Sequence, residues 1–215
     1  MLQQRQLQPE ILDSLSPDDP AAIRSRADLR RINAFMGNKR WLKKQIDTIS
    51  RDSDQPIHLI EIGSGDGSFL SIFANQNDFS LLGVDLVPKP NNLAKKIDWL
   101  SGDLFEISSF PFKKGHTNIV VCNLILHHFT DQQLALLGEI LADADHILAV
   151  EPLRTRLPLI LARLAFPFVN HVTRHDMIAS IKAGFRNGEL AAHFPAHRAI
   201  TESTSQRGSV RLHLT

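Results

Sequence analysis

The stretch Ile57–Leu70, IHLIEIGSGDGSFL, constrains this chain more than any other. An apolar run (Ile57, Leu59, Ile60, Ile62) carries one acid, Glu61, and then breaks into Gly63-Ser64-Gly65-Asp66-Gly67. The pattern predicts a buried strand, a sharp turn and a helix over residues 68–77. Glycine suits such a turn because it adopts positive φ freely and lets a ligand approach bare backbone. A helix start beyond it would add unpaired N–H groups and a positive dipole end. A nucleotide-type cofactor is the natural occupant.

On the N-terminal side, residues 1–19 are polar and are expected to form a loosely attached arm. Asp19-Pro20 is a helix start, an N-cap followed by proline at the first helical position. It predicts a helix over 20–35, with Ile23, Leu29, Ile32 and Phe35 near helical spacing, and a second over 40–49 after Gly37-Asn38. Residues 1–50 are therefore expected to be an arm and helical cap, and 51–215 the core of a single domain.

Beyond the glycine turn, Phe79–Asp85 reads as a second buried strand ending in an acid, and Ile97–Leu100 as a third before Ser101-Gly102-Asp103. A short helix is expected over 91–96. Thr117–Leu124 is nearly continuously apolar, as parallel strands buried on both faces are. Thr130 and Gln133 form a capping box opening an amphipathic helix. His146–Val150 is a fifth strand. Thr173 and Asp176 are expected to cap a helix over 174–183, stopped by Gly184. Glu189–Phe194 and Val210–Leu214 complete the count as antiparallel neighbours at one edge. Strands alternating with helices mean a parallel, doubly wound α/β sheet with right-handed crossovers.

Composition narrows the partners. A formal net charge of +1 provides no field favouring nucleic acid. One cysteine, Cys122, excludes an internal disulfide framework and suits a reducing compartment. The N-terminus lacks the apolar stretch of a secretory signal, so a cytoplasmic location is expected. The apolar window 157–169 is interrupted by Pro158, Arg163 and Pro167 and is too short to span a bilayer. Its basic and apolar mixture would suit peripheral membrane contact. Oligomeric state is left open.

Glu61, Asp85 and Asp103 fall at or just beyond three successive strand ends, along the edge where doubly wound sheets bind ligands. An acid ending the second strand is placed to accept hydrogen bonds from ribose hydroxyls. An acid after the third can meet an exocyclic amine of adenine. The set Glu61-Ile62-Gly63-Ser64-Gly65-Asp66-Gly67, Asp85, Gly102-Asp103 and Asn123 through His128 resembles the class I S-adenosylmethionine-dependent methyltransferases. The likeness is good over residues 55–151, and the NLILHHF run is similar to small-molecule and quinone-type members. The RRINAFMGNKRWL stretch resembles bacterial members associated with natural products.

The resemblance implies a Rossmann-like seven-stranded sheet, mostly parallel, with one antiparallel strand near an edge. It implies that Gly63, Ser64 and Gly65 approach the methionine part of S-adenosylmethionine and that Glu61 shapes that pocket. Asp85 would hold the ribose, Asp103 with Leu104 would meet the adenine, Asn123 would sit by the amino-acid end, and Leu86 would also belong to the cofactor site. S-adenosylhomocysteine would be the product.

The rivals are an NAD(P)-dependent oxidoreductase and a non-catalytic adenosyl-cofactor-binding protein. The dinucleotide fingerprint G-x-G-x-x-G fails here, because Ser68 stands where the third glycine belongs. Methyl transfer needs donor and acceptor aligned at about 3 Å with water excluded. A hydroxyl acceptor would also use a base, for which His127 and His128 are the candidates. The other histidines show no metal-ligand spacing, and no metal is expected. Leu157, Leu159, Ile160, Leu161, Leu164, Phe166 and Phe168 offer an apolar surface. The expected acceptor is a small hydrophobic or aromatic molecule, methylated on oxygen in preference to carbon.

Overall fold

In the computed structural model, which describes residues 2–16, 18–195 and 199–215, the first strand, β1 (Ile57–Ile62), is buried at every residue. It lies between β2 (Phe79–Asp85) and β4 (Thr117–Asn123), and β3 (Ile97–Ser101) borders β2. β5 (His146–Pro152) follows β4, and β6 (Ile200–Thr204) and β7 (Ser209–Leu214) close the other edge. The order is β3-β2-β1-β4-β5-β7-β6. β7 is antiparallel to both neighbours, so it alone runs against the other six strands.

Strand alternation divides the apolar residues into two cores, one on each face. Ile60, Ile62, Val120, Cys122, Ile147 and Ala149 belong to one, with Leu134 and Leu137 of helix α4 (Asp131–Ile140). Leu59, Ile119, Val121, Leu148 and Val150 belong to the other, with Leu42, Ile46 and Ile49 of an N-terminal helix. Full burial of each such side chain contributes about 1.5–3 kcal/mol, so β1, β4 and β5 anchor both layers. Among the described residues no helix is long and apolar enough to cross a membrane.

The N-terminal helices are α1 (Ile11–Ser14), α2 (Pro20–Met36) and α3 (Asn38–Asp52). Asp19 caps α2 by accepting from Ala21 N at 2.7 Å, and Gly37, at φ +70°, turns α2 into α3. The buried face of α2 is largely polar. Ser25 and Asp28 meet the hydroxyl of Thr173 in helix α6 (His171–Ala183), while Ile23 and Phe35 stay 53% and 61% exposed. The apolar positions of α2 thus divide, Ile23 and Phe35 facing outward and Leu29 and Ile32 half-buried.

Four expected secondary-structure features differ in the structure. Residues 68–77 hold only a 3-10 turn, Leu70–Phe73, flanked by turns, although Phe69, Leu70 and Phe73 are all buried in the core. Residues 91–96 form turns with no helix. Asn170, not Thr173, caps α6, its side chain accepting from Thr173 N at 2.8 Å. Glu189–Phe194 is not a strand: it contains the 3-10 turn Ala191–His193, and Ile200–Thr204 takes the edge position instead.

The N-terminal arm is anchored, not loose. Arg5 donates to the carbonyls of Ala183 and Phe129 at 2.9 and 2.8 Å and pairs with Asp131 at 2.7 Å. Its guanidinium lies 4.3 Å from the Phe185 ring centroid. Asp176 of α6 accepts from the backbone N–H groups of Ile11 and Leu12.

Candidate active site

The parallel order reverses between β1 and β4, each of which pairs the other but continues outward in opposite directions. Doubly wound sheets open a crevice at such a point, beyond the carboxyl ends of the strands. The glycine turn lies there. Gly63, Gly65 and Gly67 all have positive φ. At Gly63 a Cβ would come 2.7 Å from Ile125 Cγ1, so glycine lets the ends of β1 and β4 close together. At Gly65 a Cβ would meet nothing within 4 Å: its backbone faces open space, as a ligand cradle requires.

The turn is fixed from behind. Gly63 N donates to Val84 O at 2.8 Å, and the Ser64 hydroxyl donates to Glu61 O at 2.7 Å. Lys39 of α3 donates to the Ser68 hydroxyl at 2.8 Å. Asp85 ends β2 and joins two loops: one carboxylate oxygen accepts from Gly65 N at 2.7 Å and the other from Val87 N at 3.1 Å. Each oxygen retains a lone pair for a hydroxyl.

Glu61 is 3% exposed, and one of its oxygens, Oε2, has no hydrogen-bond partner among the described residues. Burial pushes its carboxyl well above the usual carboxylate range. Lys39 works against that, and Asp66 and Asp85 add to it. Asn123, at the end of β4, has a buried Oδ1 in the same condition. Two unpaired acceptors at the ends of the two strands flanking the reversal call for a donor. The α-ammonium group of S-adenosylmethionine is such a donor, and the residues present fit it.

Farther along the edge, Leu86 and Val87 are 75% and 50% exposed beyond β2. Trp99 of β3 donates to Val87 O at 2.9 Å and packs over Gly83, where a Cβ would come 2.5 Å from the indole. Asp103 caps a short turn by accepting from Phe105 N at 2.9 Å, and Leu104 beside it is buried. Gly83 and Trp99 escaped the sequence reading, although a glycine inside a strand is a signal of close approach.

The turn after β4 carries the backbone strain. Leu124 has φ +60°, the one positive φ among the described non-glycine residues, and residues held this way cluster at functional sites. Beyond it, Glu151 of β5 accepts from the N–H groups of Ile125, Leu126 and His127 and from His127 Nδ1, the last at 2.7 Å. His127 Nε2 lies 3.6 Å from Glu10 of the arm. Burial alone would lower the pKa of this ring; the nearby Glu10 carboxylate and the hydrogen-bonded Glu151 overcome it and raise the value to about 9. His127 is an imidazolium between two carboxylates at neutral pH. His128 is different: burial and the neighbouring His127 charge lower its pKa, and 31% of its side chain is exposed.

Both imidazoles border a cavity of about 240 Å³ whose other walls include Leu7, Glu10, Asp13 and Ser180. Glu151 was visible in the sequence only as an acid ending a strand, the same mark carried by Asp85. Glu10 and Asp13 carried no signal, since only the folded arm brings them to the site.

The sequence matches the family described as "Methyltransferase domain" over residues 32–185, more than half of the chain. No curated protein matches it significantly. Among solved structures, the plantazolicin methyltransferase BamL, in complex with a triazolic desmethylPZN analog and SAH, superposes with a TM-score of 0.71 at 10% identity, covering 94% of this chain and 92% of its own. The plantazolicin methyltransferase BpumL, with the same types of ligand, gives 0.68 at 14% identity and 91% coverage of both chains. The methyltransferase domain of bacterial CtHen1 gives 0.53 at 13% identity, covering 84% and 99%. These likenesses carry the fold, and the family match carries the class. The chain belongs to the methyltransferase-domain family and is a class I S-adenosylmethionine-dependent methyltransferase.

Proposed function

We propose that this enzyme methylates a small, apolar or aromatic acceptor on oxygen, with Glu61, Gly63, Ser64, Gly65, Asp85, Leu86, Asp103, Leu104 and Asn123 holding S-adenosylmethionine. The observation that carries the cofactor assignment is the pair of unpaired buried oxygens, Glu61 Oε2 and Asn123 Oδ1, beside the open backbone of Gly65. The donor's ammonium would satisfy them. Asp85 would bind the ribose hydroxyls without moving, being already held by Gly65 and Val87. Leu86 would flank the adenine and Asp103 would accept from its amine.

The sulfonium loses its charge as the methyl group leaves, so the site must align the acceptor and exclude water. The apolar acceptor is supported by side chains with no place in either core. Leu157, Ile160 and Leu164 of helix α5 (Arg156–Ala165), with Phe168 just beyond, are half or more exposed, as are Ile23 and Phe35 of α2. Of residues 1–50, the arm and α2 would then form the cap, while α3 packs into the core beneath it. His127 and His128 belong to the acceptor side. Because His127 already carries its proton, it positions the turn, and His128 is the group that would take a proton from a hydroxyl.

Labelled S-adenosylmethionine and a panel of phenols and apolar alcohols test this reading. His128→Ala should lower kcat by about 10²-fold or more, with cofactor affinity intact. Full activity in that variant would remove the base from the mechanism, and transfer to amines or carbon alone would overturn the oxygen assignment.

A further inference from the structure

His127 and His128 occupy one 3-10 turn, Leu126–His128, in which successive side chains normally diverge by about 120°. Here the two rings lie with centroids 4.3 Å apart, tilted by 37°. The arm brings Glu10 to the same point, with Oε1 3.6 Å from His127 Nε2. One donor atom from each of Glu10, His127 and His128 lies within 4.8 Å of the other two. Two imidazoles and a carboxylate are the donor set of three-ligand zinc sites that keep one position open. Tetrahedral bonds of about 2.0–2.2 Å place donors roughly 3.3 Å apart, within reach of a small side-chain adjustment.

The surroundings fit an ion as well as the donors do. His127 Nδ1 is held by Glu151 at 2.7 Å, which leaves Nε2 facing Glu10. A carboxylate on the far ring nitrogen is the usual support of a metal-binding histidine. Glu151 is itself fully buried and fixed by three backbone N–H groups. The fourth position would open to the cavity, where Asp13 lies 4.0 Å from His128 Nδ1.

We propose that Glu10, His127 and His128 form a binding site for one divalent transition-metal ion of the Zn²⁺ type, which clasps the N-terminal arm to the turn after β4. Sequence spacing shows no such site because Glu10 reaches it only through the docked arm. An ion there replaces the proton between His127 and Glu10 and occupies the lone pair of His128. The loaded form is therefore a resting, arm-closed form, and base catalysis by His128 belongs to the ion-free one. The clasp is separate from the cofactor residues and can fail while methyl transfer stands.

The test is calorimetric titration of tag-free, chelator-treated protein with Zn²⁺, paired with visible absorption after Co²⁺ addition. The expected result is one ion per chain, intense d–d bands of low-coordinate Co²⁺, and at least tenfold weaker binding in both Glu10→Gln and His128→Gln. His213→Ala removes one half of the other close imidazole pair, His146 with His213 at 3.2 Å, and should bind as the wild type does. His128 is partly exposed, so its variant should fold even if Glu10→Gln does not. Absence of stoichiometric binding, wild-type affinity in either Glu10→Gln or His128→Gln, or loss in His213→Ala alone would overturn the site. So would weakening seen only where the far-UV circular dichroism has collapsed.

Discussion

Glu61 shows how one residue can trade stability for binding. Its carboxyl is buried without a full set of partners, and the cost lies in the charged form. Glu61→Gln should therefore raise the Tm of the ligand-free protein by a few degrees at pH 7, since about 1 kcal/mol moves a chain of this size by roughly 2–4 °C. The same variant should weaken S-adenosylmethionine binding about tenfold, because the ammonium loses its carboxylate. The sign with pH follows from the raised folded pKa. Burying the carboxyl costs nothing extra where it is protonated in both states, below its ordinary value of 4.5, and the cost grows as pH rises above that. Scanning fluorimetry across pH should find the gain shrinking in acid. An unchanged Tm at pH 7 would place a partner on Glu61. Gly63→Ala, by contrast, should cost about 1–3 kcal/mol, through positive φ and the 2.7 Å approach to Ile125, and chemical denaturation reads it directly.

At the scale of elements, the central strands and the glycine turn were legible because burial on both faces and a positive-φ turn each leave a local signature. Asp19, Gly37 and the Thr130–Gln133 capping box were legible for the same reason. The misread elements are those decided by tertiary contact. Residues 68–77 carry helical spacing and bury Phe69, Leu70 and Phe73 in one core, yet they fold as a 3-10 turn between turns. α2 carries apolar spacing, but Ser25 and Asp28 hold it in place. The arm gave no pattern at all, since it is anchored by scattered single contacts: Arg5, the Ile11 and Leu12 N–H groups on Asp176, Glu10 with Ser180, and Gln6 N on Lys182 O. Arg5→Ala tests that anchoring. It removes four hydrogen bonds and the contact with Phe185, and should lower stability by about 2–4 kcal/mol. Hydrogen exchange should then accelerate in residues 2–16 while β1 and β4 stay protected. Equal protection of the arm in the variant would mean that Arg5 is not its anchor.

Across the whole molecule, the sheet order places every cofactor candidate along one rim. β1 contributes Glu61 and the glycine turn, β2 contributes Asp85 and Leu86, β3 leads to Asp103, and β4 contributes Asn123. The rim was readable from the sequence because parallel strands put their carboxyl ends together, whatever helices join them. The cavity beside His127 and His128 was not, because it is assembled from the arm, the turn after β4 and α6, none of which is near another in sequence. What the rim holds therefore decides the function. Calorimetric titration of S-adenosylmethionine and NADH, into the wild type and into Asp85→Ala, measures it most directly. The expected result is one S-adenosylmethionine per chain, at least tenfold weaker binding in Asp85→Ala, and no heat from NADH. Equal S-adenosylmethionine affinity in the two proteins, or binding of NADH in its place, would contradict it.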